Sequence, residues 1–292
     1  MRVLVTGSSG RVGRAIFVRL CREHDATGLD QIPSSTAGFV GSIADPELLR
    51  RALRGVDAVV HTAAFHAPHV GSVADAEFER INVRATRDLA AAAVSAGISR
   101  LVFTSTTALY GAAATPGYAA GWADEALPPQ PVTVYHRTKL AAEVLLESVA
   151  AETGLAVTVL RMSRCFPEPA PIMAVYRLHR GVDARDVADA HALALGSTSS
   201  GFRRFVISGA TPFDRGDVEE LAGNAPAVLA RRAPELVDEF RRRGWLLPRQ
   251  IDRVYSPALA IQELGWRPRH DFREVLRMLD SGSSEVLPPR NP

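Results

Sequence analysis

The run Thr6-Gly-Ser-Ser-Gly-Arg-Val-Gly13, at the start of the chain, constrains the fold more than any other feature. A short apolar run, Arg2-Val-Leu-Val-Thr6, precedes it, and an amphipathic stretch opens at Arg11. Strand, glycine turn and helix in this order make a dinucleotide-binding βαβ unit. Gly7 permits the tight turn, Gly10 lets the backbone approach a pyrophosphate, and Gly13 lets helix and strand pack closely. The helix start, with Arg11 and Val12, then offers free N–H groups to the phosphates. Asp30 ends the next apolar run, where a carboxylate accepts hydrogen bonds from a ribose 2′-hydroxyl and repels a 2′-phosphate. No cationic residue follows in Gln31-Ile-Pro-Ser-Ser-Thr36. The expected cofactor is NAD rather than NADP.

Short apolar runs alternate with longer amphipathic ones through the first half, as βαβ units on a parallel sheet require. Strands are expected at 2–6, 26–30, 38–40, 56–62, 100–105, 156–162 and 203–208, and helices at 11–23, 45–54, 75–96, 133–153 and 185–196. The fold class is α/β, a Rossmann-type doubly wound parallel sheet with a small, mostly helical C-terminal lobe. Residues 1–162 and 182–209 read as the nucleotide-binding domain. Residues 163–181 and 210–280 read as the substrate lobe, with 163–181 irregular because of Pro167, Pro169 and Pro171. The polar, proline-rich stretch 281–292 reads as a disordered tail.

A formal charge of +2 argues against nucleic-acid and membrane partners. No apolar run reaches a membrane span, and the opening strand pattern does not resemble a signal peptide. Cys21 and Cys165 form no metal or redox spacing and point to a reducing compartment. A cytoplasmic location and no metal site are the expectation.

Lysine and arginine together number 34, yet Lys139 is the single lysine. It stands four residues after Tyr135, so both lie on one face of a helix. An ammonium is a compact charge whose pKa moves readily, whereas guanidinium is a permanently charged planar fork. A lone lysine in an arginine background marks a position for lysine chemistry.

The ordered set of these features resembles the NAD-dependent epimerase/dehydratase branch of the extended short-chain dehydrogenase/reductase superfamily. The matching residues are the glycine turn, Asp30, His61-Thr-Ala-Ala64, Asn82-Val-Arg-Ala-Thr86, Phe103-Thr-Ser-Thr-Thr-Ala-Leu-Tyr-Gly111 and Tyr135-xxx-Lys139. Arg185-Asp-Val-Ala188 and Glu263-Leu-Gly-Trp-x-Pro268 complete the set, which covers nearly the whole chain.

The resemblance implies a triad of Thr106, Tyr135 and Lys139, with Ser105 the alternative hydroxyl. Tyr135 would exchange the proton of a reacting carbinol. A free phenol titrates near about 10, and Lys139 would lower that value. The resemblance further places Ser42, Ile43, Ala63, Ala64, Asn82 and Thr104 beside the cofactor. It puts Ser105, Thr107, His66 and Arg164 beside a carbohydrate substrate, and it implies a homodimer paired through helices 75–96 and 133–153.

Two departures bear on the reaction. Thr106 is followed by Thr107 and Ala108 rather than Asp-Glu, which argues against a dehydratase. The run Arg161-Met-Ser-Arg-Cys-Phe-Pro-Glu-Pro169 lacks the sugar-nucleotide pattern and resembles uronate dehydrogenases, although Met173 stands where those place a carboxylate-binding arginine. Arg164, Arg177 and Arg180 are candidate substitutes, and His66 and His69 lie on the substrate side. The arginine-rich run 231–243 reads as a solvated helix face. The leading expectation is an epimerase-like enzyme that oxidises a carbohydrate hydroxyl, such as that of a UDP-sugar. Alternatives are a dehydrogenase of a free sugar or sugar acid, and a non-catalytic NAD-binding sensor or scaffold.

Overall fold

The computed structural model describes residues 1–289. Its first half runs β1 (Arg2–Thr6), α1 (Arg11–Leu20), β2 (Asp25–Asp30), β3 (Phe39–Val40), α2 (Pro46–Ala52), β4 (Ala58–His61), α3 (Asp75–Glu79), α4 (Ala85–Ser95), β5 (Arg100–Thr106), β6 (Gly121–Ala123) and α5 (Val134–Thr153). The second half runs β7 (Ala156–Met162), α6 (Ala170–Tyr176), α7 (Ala184–Gly196), β8 (Phe202–Ile207), α8 (Val218–Arg232), α9 (Pro234–Arg243), β9 (Arg253–Tyr255), α10 (Ala258–Glu263) and α11 (Phe272–Asp280).

Seven strands form one parallel sheet in the order β3-β2-β1-β4-β5-β7-β8. Strand order reverses between β1 and β4, and that switch point opens a crevice beyond the carboxyl ends of the strands. Buried Val, Leu and Ala side chains fill both faces of the sheet. Leu49, Leu89 and Leu146 bring α2, α4 and α5 onto one face, and Ile16 and Val187 bring α1 and α7 onto the other. A separate apolar cluster joins α6, α8, α9 and α11 through Met173, Leu229, Phe240 and Leu276.

Local chemistry sets the element ends. Asp45 caps α2, its carboxylate accepting from the N–H groups of Glu47 and Leu48, with Pro46 at the first helical position. Thr133 caps α5 by accepting from His136 N–H, and Gly154 ends it in the left-handed conformation.

Several expectations need correction. The helix expected over 75–96 is interrupted by a π-helical turn at Arg80–Arg84, between α3 and α4. The segment 163–181 is not wholly irregular: Pro169 and Pro171 fall at the start of α6, where missing N–H groups cost nothing. Two short strands, β6 and β9, pair in parallel apart from the main sheet, a pairing that no local pattern announces.

The tail expected to be disordered is packed over residues 281–289. Val286 is buried in the helical cluster, Leu287 N–H donates to the Glu168 carbonyl, and Ala170 N–H donates to the Leu287 carbonyl. One apolar anchor and two main-chain bonds hold a segment whose composition alone looks too polar to fold. Residues 290–292 of that expectation lie outside the described residues.

Candidate active site

A cavity of about 860 Å³ opens at the carboxyl ends of the strands. The glycine turn forms one end of it. Gly7 has φ +73°, and a Cβ there would sit 2.5 Å from Thr62 Oγ1. A Cβ on Gly13 would sit 1.9 Å from the Gly7 carbonyl oxygen, so both positions are closed to side chains by the protein itself. Gly10 differs, because a Cβ there would meet only the Gly7 carbonyl oxygen, at 3.4 Å. Its bare face lines the cavity, where it leaves room for a ligand to approach the backbone.

Helix α1 starts at Arg11 with no side-chain cap and no acidic residue in its first turn, so its N–H groups are left to an anion. Arg11, Val12, Asp30, Ser42, Ile43, Ala63 and Ala64 all line the cavity. The Asp30 carboxylate accepts from Ser9 N–H (2.9 Å) and Ile32 N–H (2.9 Å), which fixes it at the end of β2. A cradle free of side chains, a bare helix N-terminus and an anchored carboxylate fit a dinucleotide with an unphosphorylated ribose.

The other end of the cavity gathers Thr106, Tyr135 and Lys139. Tyr135 and Lys139 rise on successive turns of α5, while Thr106 ends β5 and accepts from Ala108 N–H. The Lys139 ammonium donates to the Thr104 carbonyl at 2.7 Å and lies 3.8 Å from the centre of the Phe103 ring. Burial draws Lys139 down to about 7, against the opposing pull of the Glu143 carboxylate. Burial pushes the Tyr135 phenol up to about 12, partly offset by a hydrogen bond with Thr106. The lowering of the phenol expected from Lys139 does not appear in the protein alone, where burial and the Thr106 hydrogen bond set the Tyr135 shift. Desolvation favours the neutral form of both groups.

Other expected positions divide. Ser105 borders the cavity, but its hydroxyl donates to Glu143 Oε1 at 2.5 Å. Alternation along β5 turns it to the face opposite its neighbours, toward Glu143 of α5. Glu143 is fully buried and also takes a fork of hydrogen bonds from Arg161. The Thr104 hydroxyl is hydrogen-bonded to His191 Nε2 at 2.8 Å, which leaves its carbonyl, holding Lys139, as its part in the site.

Asn82 does not line the cavity. Its Oδ1 accepts from Phe65 N–H (2.8 Å) and its Nδ2 donates to the Phe65 carbonyl (2.9 Å) and Thr138 Oγ1 (3.2 Å). These bonds make Asn82 a clamp between the loop after β4 and α5. Thr107, His66, His69 and Arg164 line the cavity, and Arg164 pairs with Glu168. Burial lowers His66, as do the nearby His69 and Lys139.

Of the other arginines, Arg180 lines the cavity, whereas Arg177 is buried against Asp183 away from it. The run 231–243 is absent from the lining. Its arginines pair with Asp214, Asp217, Glu220, Asp238, Glu239 and Asp280. Sequence reasoning missed Arg253 and Tyr255 of β9, which also line the cavity. Their run, Ile251 to Ser256, carries no motif, and only its pairing with β6 brings it to the site.

The sequence matches the model of a family described as NAD dependent epimerase/dehydratase over residues 3–169. It is 26% identical over 319 residues to a UDP-glucose 4-epimerase of Azospirillum brasilense, across 92% of this chain and 88% of that protein. Identity reaches 33% over 180 residues with an L-arabinose 1-dehydrogenase (NAD(P)(+)) of Haloferax volcanii, across 55% of this chain and 66% of that protein. Among solved structures, a short-chain dehydrogenase/reductase superfamily protein from Agrobacterium tumefaciens with bound NAD superposes with a TM-score of 0.74. That match covers 96% of both chains at 23% identity, a likeness of fold.

Proposed function

This chain belongs to the NAD-dependent epimerase/dehydratase family, and from that premise we propose that it oxidises a carbohydrate hydroxyl with Tyr135 as the acid/base. It is an NAD-dependent enzyme of the extended short-chain dehydrogenase/reductase type. The observation that carries the proposal is the convergence of Thr106, Tyr135 and Lys139 in the cavity that the glycine turn and Asp30 also line.

Gly10, the first turn of α1 and Asp30 would hold NAD. When bound, it supplies the hydride acceptor and a positive ring charge. Thr106 orients the substrate hydroxyl toward Tyr135 by a hydrogen bond. Tyr135, as phenolate, takes the hydroxyl proton and, as phenol, returns it to a carbonyl oxygen. Lys139 is fastened to the Thr104 carbonyl, and its remaining N–H bonds would be available to the ribose of bound NAD and to the phenol oxygen. Tyr135→Phe should lower turnover by about a hundredfold or more while NAD still binds in calorimetry. A variant that turned over at the wild-type rate would sink the assignment.

Relatives named for a UDP-sugar epimerase support an epimerase-like reaction on a nucleotide sugar. A second reading, net oxidation of a free sugar or sugar acid, is favoured by one feature of the cavity. No residue between 182 and 252 lines it, so α8 and α9 add no wall for a nucleotide. Nucleotide sugars, free sugars and uronic acids, each followed by the near-ultraviolet absorbance of NADH, separate the two. Accumulation of NADH excludes a pure epimerase.

The proposed partner is a second copy of the chain, paired through the outer face of α4 and α5. A shallow groove there includes Arg87, Leu140 and the exposed Val144. A monomeric mass by light scattering would exclude it.

A further inference from the structure

We infer that Glu285 is a positioning residue of the cofactor site: it holds the Arg11 side chain as a clasp across the cavity rim and slows release of the dinucleotide. The inference rests on the NAD-binding reading above.

Arg11 opens α1 directly after the glycine turn, and its guanidinium reaches two other segments. Its Nε donates to the Cys165 carbonyl at 2.9 Å, and its Nη2 pairs with the Glu285 carboxylate. Arg11 and Cys165 both line the cavity, so one side chain joins the wall that follows β1 to the wall that follows β7. A planar guanidinium has five N–H donors in a fixed fork. With Nε given to a carbonyl and Nη2 to a carboxylate, Nη1 remains for an anionic ligand. The clasp and a pyrophosphate are therefore compatible, and Glu285 fixes the cation rather than removing it from use.

The carboxylate is not delivered by a loose end. Val286 is 4% exposed, and Leu287 makes main-chain bonds to Glu168 and Ala170 on either side of Pro169. The same short segment thus steadies the loop carrying Arg164, Cys165 and Phe166, all of which line the cavity. The ion pair itself is partly exposed, with side chains 28% and 50% accessible, so it adds little to global stability. Its effect should appear in ligand exchange instead.

The test is stopped-flow release of NADH, followed by its fluorescence, from the wild type, Glu285→Gln, Glu285→Asp and a chain ending at Ser284. Release from Glu285→Gln should be about three- to fivefold faster, the factor that a partly exposed ion pair supplies. The shortened chain should release at least as fast as Glu285→Gln, and Glu285→Asp should recover part of the wild-type rate. The thermal midpoint of unliganded Glu285→Gln should match wild type, which separates a positioning role from loss of fold. Release from Glu285→Gln that is unchanged, or slower as competition for Arg11 would make it, overturns the inference while leaving NAD binding intact. A wild-type protein that binds no NADH overturns the NAD-binding reading and this inference with it.

Discussion

Burial moves Tyr135 and Lys139 toward the uncharged form of each, the phenol up to about 12 and the ammonium down to about 7. At neutral pH the resting phenol keeps its proton, ready to donate to a carbonyl oxygen. Oxidation needs the phenolate, so initial rates of oxidation should climb as pH rises above neutrality, and reduction should not. Lys139→Arg tests the lysine itself. A guanidinium cannot lose its proton in this range, and its rigid planar fork replaces the compact ammonium whose rotatable donors reach the Thr104 carbonyl and leave others free. The variant should lose about a hundredfold or more in turnover; wild-type rates would show that any cation serves. The Tyr135–Lys139 pair was legible because helical spacing alone puts the two on one face. The true partners of Ser105 and Asn82 were not. Glu143 lies 38 residues from Ser105, and Phe65 lies 17 residues from Asn82.

Elements place these residues, and the π-helical turn at Arg80–Arg84 is the least regular of them. An extra residue in a helical turn rotates the remainder of the helix about its axis, and such turns recur beside functional sites. Here the turn carries Asn82, 1% exposed, whose amide grips both backbone polar groups of Phe65. Asn82→Ala would strand those groups, at a cost of about 1–3 kcal/mol in urea unfolding. Because the loop after β4 carries Ala63, Ala64 and His66, NAD affinity should fall as well. A loss of stability without a loss of affinity would separate the clamp from the site. An amphipathic pattern predicts helix across 75–96, since a one-residue bulge leaves the apolar spacing almost intact. The strands of the main sheet were readable from apolar runs. Strands β6 and β9 were not, because three residues carry too little pattern and their pairing is decided elsewhere in the chain.

At the scale of the molecule, buried histidines set how the fold meets acid. His61 bridges Thr6 and Thr86 and is drawn down to about 3 by burial and by Lys139. His179 and His191 are drawn down by burial to about 3 and about 4. An unfolded histidine takes up its proton below about 6.5, whereas these three stay neutral in the fold until far lower pH. Between those limits the unfolded chain holds more protons, so stability must fall as pH drops from about 6.5 toward about 4. Denaturant midpoints over that interval should show the slope, and His61→Gln should make it shallower. A flat profile would mean that these rings charge inside the fold. The doubly wound class was legible at this scale because the glycine turn and alternating runs are local. The docking of the tail was not, since Val286 gives no sign of the helices it meets.

That docking bears on the order in which the molecule becomes usable as it is synthesised. The strands from β1 to β7 leave the ribosome first and already contain the glycine turn, Thr106, Tyr135 and Lys139. Arg253 and Tyr255 join the cavity much later, and Glu285 reaches back to Arg11 later still. A nascent chain therefore carries its reactive groups long before it carries the rim that encloses them. Ribosomes stalled before residue 253 should hold a nucleotide sheet that binds loosely and turns nothing over, so the reactive groups wait on residues made after them.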